Sequence, residues 1–192
     1  MFGCSAELAS KPEWSVLQSI ELENRHRRFT EPEIITIDGY PVLGVQGNVP
    51  KLGLDFNARA TQVFYNHVKE TERALMENSN VDFILWPENS VDVDPFRNPD
   101  VFETLNGYEQ PIIVGAIVGK GEQILNTSIL WTKEQQSVYV KQHLTPFGEY
   151  IPLRSIALKI SPLVDEVRDF SPGNESTIFT INRAKIAPVI CY

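Results

Sequence analysis

The sequence is poor in the residues from which metal centres and disulfide frameworks are built. Two cysteines, Cys4 and Cys191, lie near opposite ends of 192 residues. Two thiols so far apart make no disulfide framework, and Cys4 reads as incidental because nothing hydrophobic precedes it. The three histidines, His26, His67 and His143, are scattered. No His or Cys pair has ligand spacing, so a structural metal is not expected. Long apolar runs are missing as well. The longest, Pro111 to Gly119, falls far short of the roughly 20 residues that a spanning helix needs. Met1 to Ser10 has neither the basic nor the apolar part of a secretory signal. A basic surface is also lacking. The formal net charge is −8, which argues against nucleic acid as a partner, since phosphates demand Lys and Arg. The one dense basic cluster, Arg25 to Arg28, is flanked by Glu21, Glu23, Glu31 and Glu33 and reads as a solvated linker.

What is present suits one domain with a real core. Hydrophobic residues make up 42% and charged residues 22%, as in an average globular protein. Residues 1–40 read as a linker or the trailing end of an upstream region. From Pro41 the pattern becomes αβ. Val42 to Val49 reads as a first strand. Asp55 can cap a helix from Phe56 to about Asn78, with Phe64, Val68 and Leu75 on one face. Val81 to Trp86 is a short buried strand, and a short helix is expected after Asp100. Pro111 to Val118 is the strongest buried strand. Gln123 to Trp131 and Ser137 to Val140 read as a pair joined by a polar turn. Pro152 suits the first turn of a helix to about Ile160. Ser176 to Ile181 and Ala184 to Ile190 read as two further strands. Helices alternate with strands early and hairpins follow, which predicts an α/β fold with a mixed sheet. Chemistry in such folds gathers at strand ends.

Three strand ends carry reactive residues. Phe83-Ile84-Leu85-Trp86 runs into Pro87 and then Glu88. Proline ends the ladder and fixes the backbone, and a carboxylate against an apolar wall suits a general base. The plain alternative is a surface glutamate after a strand. Lys141 closes the next candidate strand, and Glu149 follows in a loop shaped by Pro146, Gly148 and Pro152. A lysine ammonium can stabilise a thiolate or an oxyanion, and Glu149 would keep it charged and oriented. As a solvent-exposed pair the two would contribute almost nothing. His143 is assigned no catalytic role. The third strand end is Ala187-Pro188-Val189-Ile190-Cys191-Tyr192. A cysteine there is usually a small buried hydrophobe. A cysteine nucleophile, however, requires a base, a cation and a backbone N–H at the developing oxyanion. Glu88, Lys141, Cys191 and the amide of Tyr192 would supply all four parts.

Glu, Lys and Cys in this order at strand ends resemble the nitrilase (carbon–nitrogen hydrolase) superfamily. Five local motifs are similar to the apolipoprotein N-acyltransferase family. They are Gln46-Gly47-Asn48-Val49-Pro50, Trp86-Pro87-Glu88, Lys141 to Pro152, Phe170-Ser171-Pro172-Gly173 and Ile190-Cys191-Tyr192. Leu52 to Asn57 and Trp86 to Ser90 look like its actinobacterial branch. The resemblance covers residues 41–192. It implies a nitrilase-like α-β-β-α sandwich with mixed sheets, of which 41–192 is the N-terminal part, incomplete at the C-terminus. It implies ping-pong acyl transfer that needs no cofactor or metal. Glu88 would take the proton of Cys191, and the thiolate would attack an acyl ester of a membrane phospholipid. Lys141 and the Tyr192 N–H would hold the oxyanion, and Glu149, the family's additional glutamate, would position Lys141. The acceptor would be the α-amino group of an apolipoprotein's S-diacylglyceryl cysteine. The family's membrane helices imply a cell-membrane location with the site on the extracytoplasmic side. The chain itself reads as an inactive fragment. A soluble nitrilase-superfamily amidase with water as acceptor is the alternative, followed by a non-catalytic remnant.

Overall fold

The computed structural model describes residues 32–37, 39–47, 56–155 and 168–190, with the backbone alone for 56–60. A mixed six-stranded sheet dominates them, and its strands lie side by side in chain order. The edge hairpin is β1 (Glu33–Ile37) and β2 (Tyr40–Gly44), antiparallel, with Ile34 opposite Leu43. Gly39 turns the chain at φ +86°, a conformation that suits glycine because it has no Cβ. A 22-residue helix, α1 (Phe56–Glu77), then crosses to β3 (Phe83–Leu85), which is parallel to β2. A second helix, α2 (Pro99–Gly107), leads to β4 (Ile112–Lys120), parallel to β3. Asn98 caps α2 by accepting from the Val101 N–H, and Pro99 fills its first turn, where proline costs no hydrogen bond. β5 (Gln123–Trp131) and β6 (Gln136–Val140) complete the sheet as antiparallel neighbours. A separate hairpin joins β7 (Phe179–Ile181) to β8 (Ala184–Ile186).

Strand alternation splits the core in two. Leu43, Ile84, Ile112, Val114, Ile129 and Trp131 face one side, where Phe64 and Val68 of α1 and Val101 and Leu105 of α2 cover them. Their neighbours Val42, Phe83, Ile113 and Leu130 face the other side and pack against Phe179, Ile181 and Ile186 of the small hairpin. Each such side chain contributes about 1.5–3 kcal/mol by leaving water, so both faces are bound to their covers. Among the described residues the layers are therefore helix, sheet and hairpin.

Several boundaries differ from the sequence reading. The sheet begins at Glu33, inside the segment read as linker, because Ile35 and Ile37 have a partner strand to pack beside. The first long strand, read as Val42 to Val49, is instead the second arm of that hairpin and ends at Gly44; Asn48 and Val49 lie outside the described residues. β7 and β8 are three residues each, shorter than expected. Of the helix expected from Pro152, Arg154 and Ser155 are helical, and 156–160 lie outside the described residues.

Candidate active site

Glu88 stands at a corner where the chain leaves the sheet and returns to it. The Trp86 N–H donates to the Ile113 carbonyl at 2.9 Å, the last such bond of the strand, and the Val91 N–H donates to the Gly115 carbonyl at 3.0 Å. Between them the chain passes directly over Gly115. A Cβ there would lie 2.6 Å from Glu88 Cα and from the Pro87 oxygen. Glycine is required because the backbone itself occupies that space. Asn89 completes the corner at φ +57°. Beneath it, buried Trp86 donates its indole N–H to Thr71 Oγ1 of α1 at 2.9 Å, anchoring the strand end to the helix.

Lys141 follows β6 immediately and is only 2% exposed. Its backbone is held on both sides, the N–H by the Asn126 carbonyl at 2.9 Å and the carbonyl by the Gly173 N–H at 2.8 Å. Gly173 approaches so closely that a Cβ would meet the Val140 oxygen at 2.5 Å. The Lys141 ammonium lies 2.8 Å from Glu149 Oε2 and 3.9 Å from Glu88 Oε1. The pair that would contribute nothing on a surface has its lysine buried and its glutamate mostly covered, so its charges interact with reduced screening.

Asn126, which the sequence reading did not single out, joins the two carboxylates. Its Nδ2 donates to Glu88 Oε1 at 2.9 Å and to Glu149 Oε1 at 2.7 Å. Two carboxylate acceptors fix the amide orientation, since only the nitrogen can donate. The available signal was an asparagine inside the apolar strand Ile124-Leu125-Asn126, a setting from which asparagine is depleted.

The two glutamates have different surroundings. The Glu149 side chain is 11% exposed and that of Glu88 40%. Burial pushes the Glu149 carboxyl upward. Hydrogen bonds from Lys141, Asn126 and the Thr145 N–H, with the Lys141 charge, outweigh this and hold it below the usual glutamate range. A carboxyl depressed in the fold stabilises the fold above its ordinary range, and that contribution is lost as pH falls through the depressed value. Glu149→Gln is therefore expected to lower stability at neutral pH, with the gap to the parent closing in acid. Urea denaturation between pH 7 and pH 3 measures it, and a gap that stays constant refutes it.

A pocket of about 270 Å³ opens beside this cluster on the hairpin side of the sheet. Glu88 forms part of its wall. Leu85, Ile113, Phe179, Ile186 and Ile190 make most of the rest apolar. The loop after Lys141 is rigidly tied. Glu149 N–H donates to the Thr145 carbonyl, Phe147 N–H to that of Tyr150, and Phe170 N–H to that of Glu149. That loop nevertheless exposes Phe147 (81%) and Leu153 (73%), both at positive φ.

The fold thus brings Glu88, Lys141 and Glu149 into one cluster. Cys191 and Tyr192 lie outside the described residues; the described chain ends at Ile190, in the pocket wall. No helix among the described residues is long and apolar enough to cross a membrane.

No family model matches the chain. Among curated proteins it is similar to the apolipoprotein N-acyltransferase of Mycolicibacterium smegmatis, with 34% identity over 168 residues, covering 79% of this chain and 28% of that protein. The enzyme of the same name from Azotobacter vinelandii is 28% identical over 162 residues, covering 79% of this chain and 31% of that protein. Among solved structures, a carbon–nitrogen hydrolase from Helicobacter pylori overlaps 69% of this chain and 47% of its own, with a TM-score of 0.47 and 16% identity. A Saccharomyces cerevisiae member of branch 10 of the nitrilase superfamily overlaps 69% of this chain and 50% of its own, with a TM-score of 0.44 and 20% identity. The chain spans about three tenths of the length of the two curated relatives named here. By sequence the chain belongs to the apolipoprotein N-acyltransferase family.

Proposed function

We propose that this chain carries the acylation machinery of an N-acyltransferase that moves a fatty acyl chain from a phospholipid to the N-terminal S-diacylglyceryl cysteine of apolipoproteins. The observation that carries the reading is the buried ammonium of Lys141, set between Glu149 and Glu88, the latter in the wall of a mostly apolar pocket. Such a cation is placed to meet negative charge on a reacting carbonyl. Glu88, the more exposed carboxylate, takes the proton of the Cys191 thiol as sulfur attacks the acyl ester. The C–S bond forms, the ester C–O bond breaks, and the lysophospholipid leaves with a proton. Lys141 and the Tyr192 N–H hold the oxyanion. Glu149, at 2.8 Å, holds the Lys141 ammonium in place. The acceptor amine then attacks the thioester, releasing the amide and the thiol.

The donor's chemistry favours a lipid surface. Phe147 and Leu153 project from the loop that holds Glu149, and apolar side chains so presented suit contact with acyl chains. We place the site at the extracytoplasmic face of the cell membrane, with the chain from Glu33 onward as the N-terminal part of the catalytic domain and the residues before it as the connection leading into it. The test is to incubate the protein with phospholipid vesicles, without an amine acceptor, and analyse the Cys191 peptide by mass spectrometry. An acyl adduct that hydroxylamine removes is expected. A Cys191 peptide that stays unmodified, while the same preparation releases free fatty acid, would favour hydrolysis by another route and sink the proposal.

A further inference from the structure

The corner that carries Glu88 has two feet, and the second one holds a buried hydroxyl that the mechanism does not use. Ser90 is completely buried. Its Oγ donates to the Gly115 carbonyl at 3.2 Å, and its N–H donates to the Pro87 carbonyl at 3.3 Å, closing the turn around Glu88. The next residue re-enters the sheet. Val91 donates to the same Gly115 carbonyl, bridges Ala116, and accepts from the Ile117 N–H at 3.3 Å. The hydroxyl thus fastens the returning side of the corner to the glycine over which Glu88 passes. The outgoing side is fastened separately, by the Trp86 backbone and its indole bond to Thr71.

We infer that Ser90 is a positioning residue for Glu88, and that its hydroxyl sets the distance from Glu88 to Asn126 and Lys141. The inference rests on the reading of Glu88 as the base that takes the Cys191 proton. Glu88 reaches Asn126 at 2.9 Å and Lys141 at 3.9 Å. A general base must lie within hydrogen-bond reach of the proton it abstracts. A misplacement of about 1 Å can cost as much as 10²-fold in rate. The chain around Glu88 includes a left-handed residue, Asn89, so the turn is held there by its contacts. Removing the hydroxyl does not orphan its acceptor, because the Gly115 carbonyl keeps its bond from Val91. Ser90→Ala therefore folds, and its effect falls on the position of the carboxylate.

The experiment uses the whole chain and the p-nitrophenyl ester of a fatty acid as acyl donor. Sulfur attack expels p-nitrophenolate, and the thiol proton passes to Glu88, so one equivalent of product appears as a burst. Ser90→Ala is expected to slow the burst about 10-fold at an unchanged half-saturating ester concentration, with a small change in melting temperature. Ser90→Thr, which keeps the hydroxyl, is expected to recover most of the rate. Ser90→Ala at the parental rate, beside a Glu88→Gln variant that has lost the burst, overturns the role of Ser90 alone. Glu88→Gln at the parental rate overturns the base assignment and the inference built on it. A second measurement needs no turnover. The Asn126 side-chain amide donates to both carboxylates, so its NMR signals report where Glu88 sits. Ser90→Ala is expected to shift them and Ser90→Thr to return them; signals that stay in place in Ser90→Ala overturn the inference whatever the rates.

Discussion

Lys141→Ala is expected to slow formation of the acyl adduct on Cys191 by roughly 10²–10³-fold, the range found when one donor to an oxyanion is removed. Cys191→Ala, which removes the sulfur itself, is expected to abolish the adduct. The reasoning behind the lysine follows from its setting. At 2% exposure its charge works without the screening that makes surface pairs weak. Glu149, at 2.8 Å, is its hydrogen-bonded partner, while Glu88 stands back at 3.9 Å. An ammonium has three donors, so committing one to Glu149 is compatible with another meeting the oxyanion. The substitution also leaves Glu149 in a largely buried place without its cation. Breaking such a pair costs on the order of 3 kcal/mol, and Lys141→Ala should unfold at a lower urea concentration. Rates are therefore compared per folded molecule. A folded Lys141→Ala protein that acylates Cys191 at the parental rate would remove lysine from the mechanism.

Asn126→Asp is the second large effect, and it comes from an almost isosteric change. In the parent, one amide nitrogen donates to Glu88 and Glu149 together. In the variant, a third carboxyl replaces that donor, with Lys141 the cation between the two glutamates. Like charges this close cannot all ionise, and at least one carboxyl must take up a proton. The fold is expected to lose about 3 kcal/mol at neutral pH, and to regain part of it as the pH falls and protonation relieves the repulsion. Urea midpoints at pH 7 and pH 5 measure this. Equal midpoints for variant and parent at pH 7 would mean that Asn126 is not the link between the carboxylates.

The elements that pack on two faces were legible because their apolar residues repeat with the period of the structure. The 22-residue helix α1 follows from such spacing, and the strands β3 and β4 from their short, continuous apolar runs. The edge hairpin was missed for a different reason. Glu33-Ile34-Ile35-Thr36-Ile37 sits among charged residues and looks like their continuation, although Asp38-Gly39 is a strong hairpin signal. The site was legible in part. Glu88 and Lys141 stand where proline and strand ends announced special positions, and Glu149 lies in a loop whose Pro and Gly content marked it as constrained. Asn126 was not legible as a partner. Its role depends on the chain bringing back Glu149, 23 positions further on, and no local pattern encodes that return. The depth of Lys141 was hidden as well, because a lysine after a strand is ordinarily a solvated one.

The strands of the sheet stand beside one another in the order in which the chain is written, from Glu33 to Val140. Each strand's neighbour is thus already made when it leaves the ribosome, and the growing edge advances by one docking event at a time. Such a layout needs few distant pairings and shortens the interval in which an unpaired edge is open to other chains.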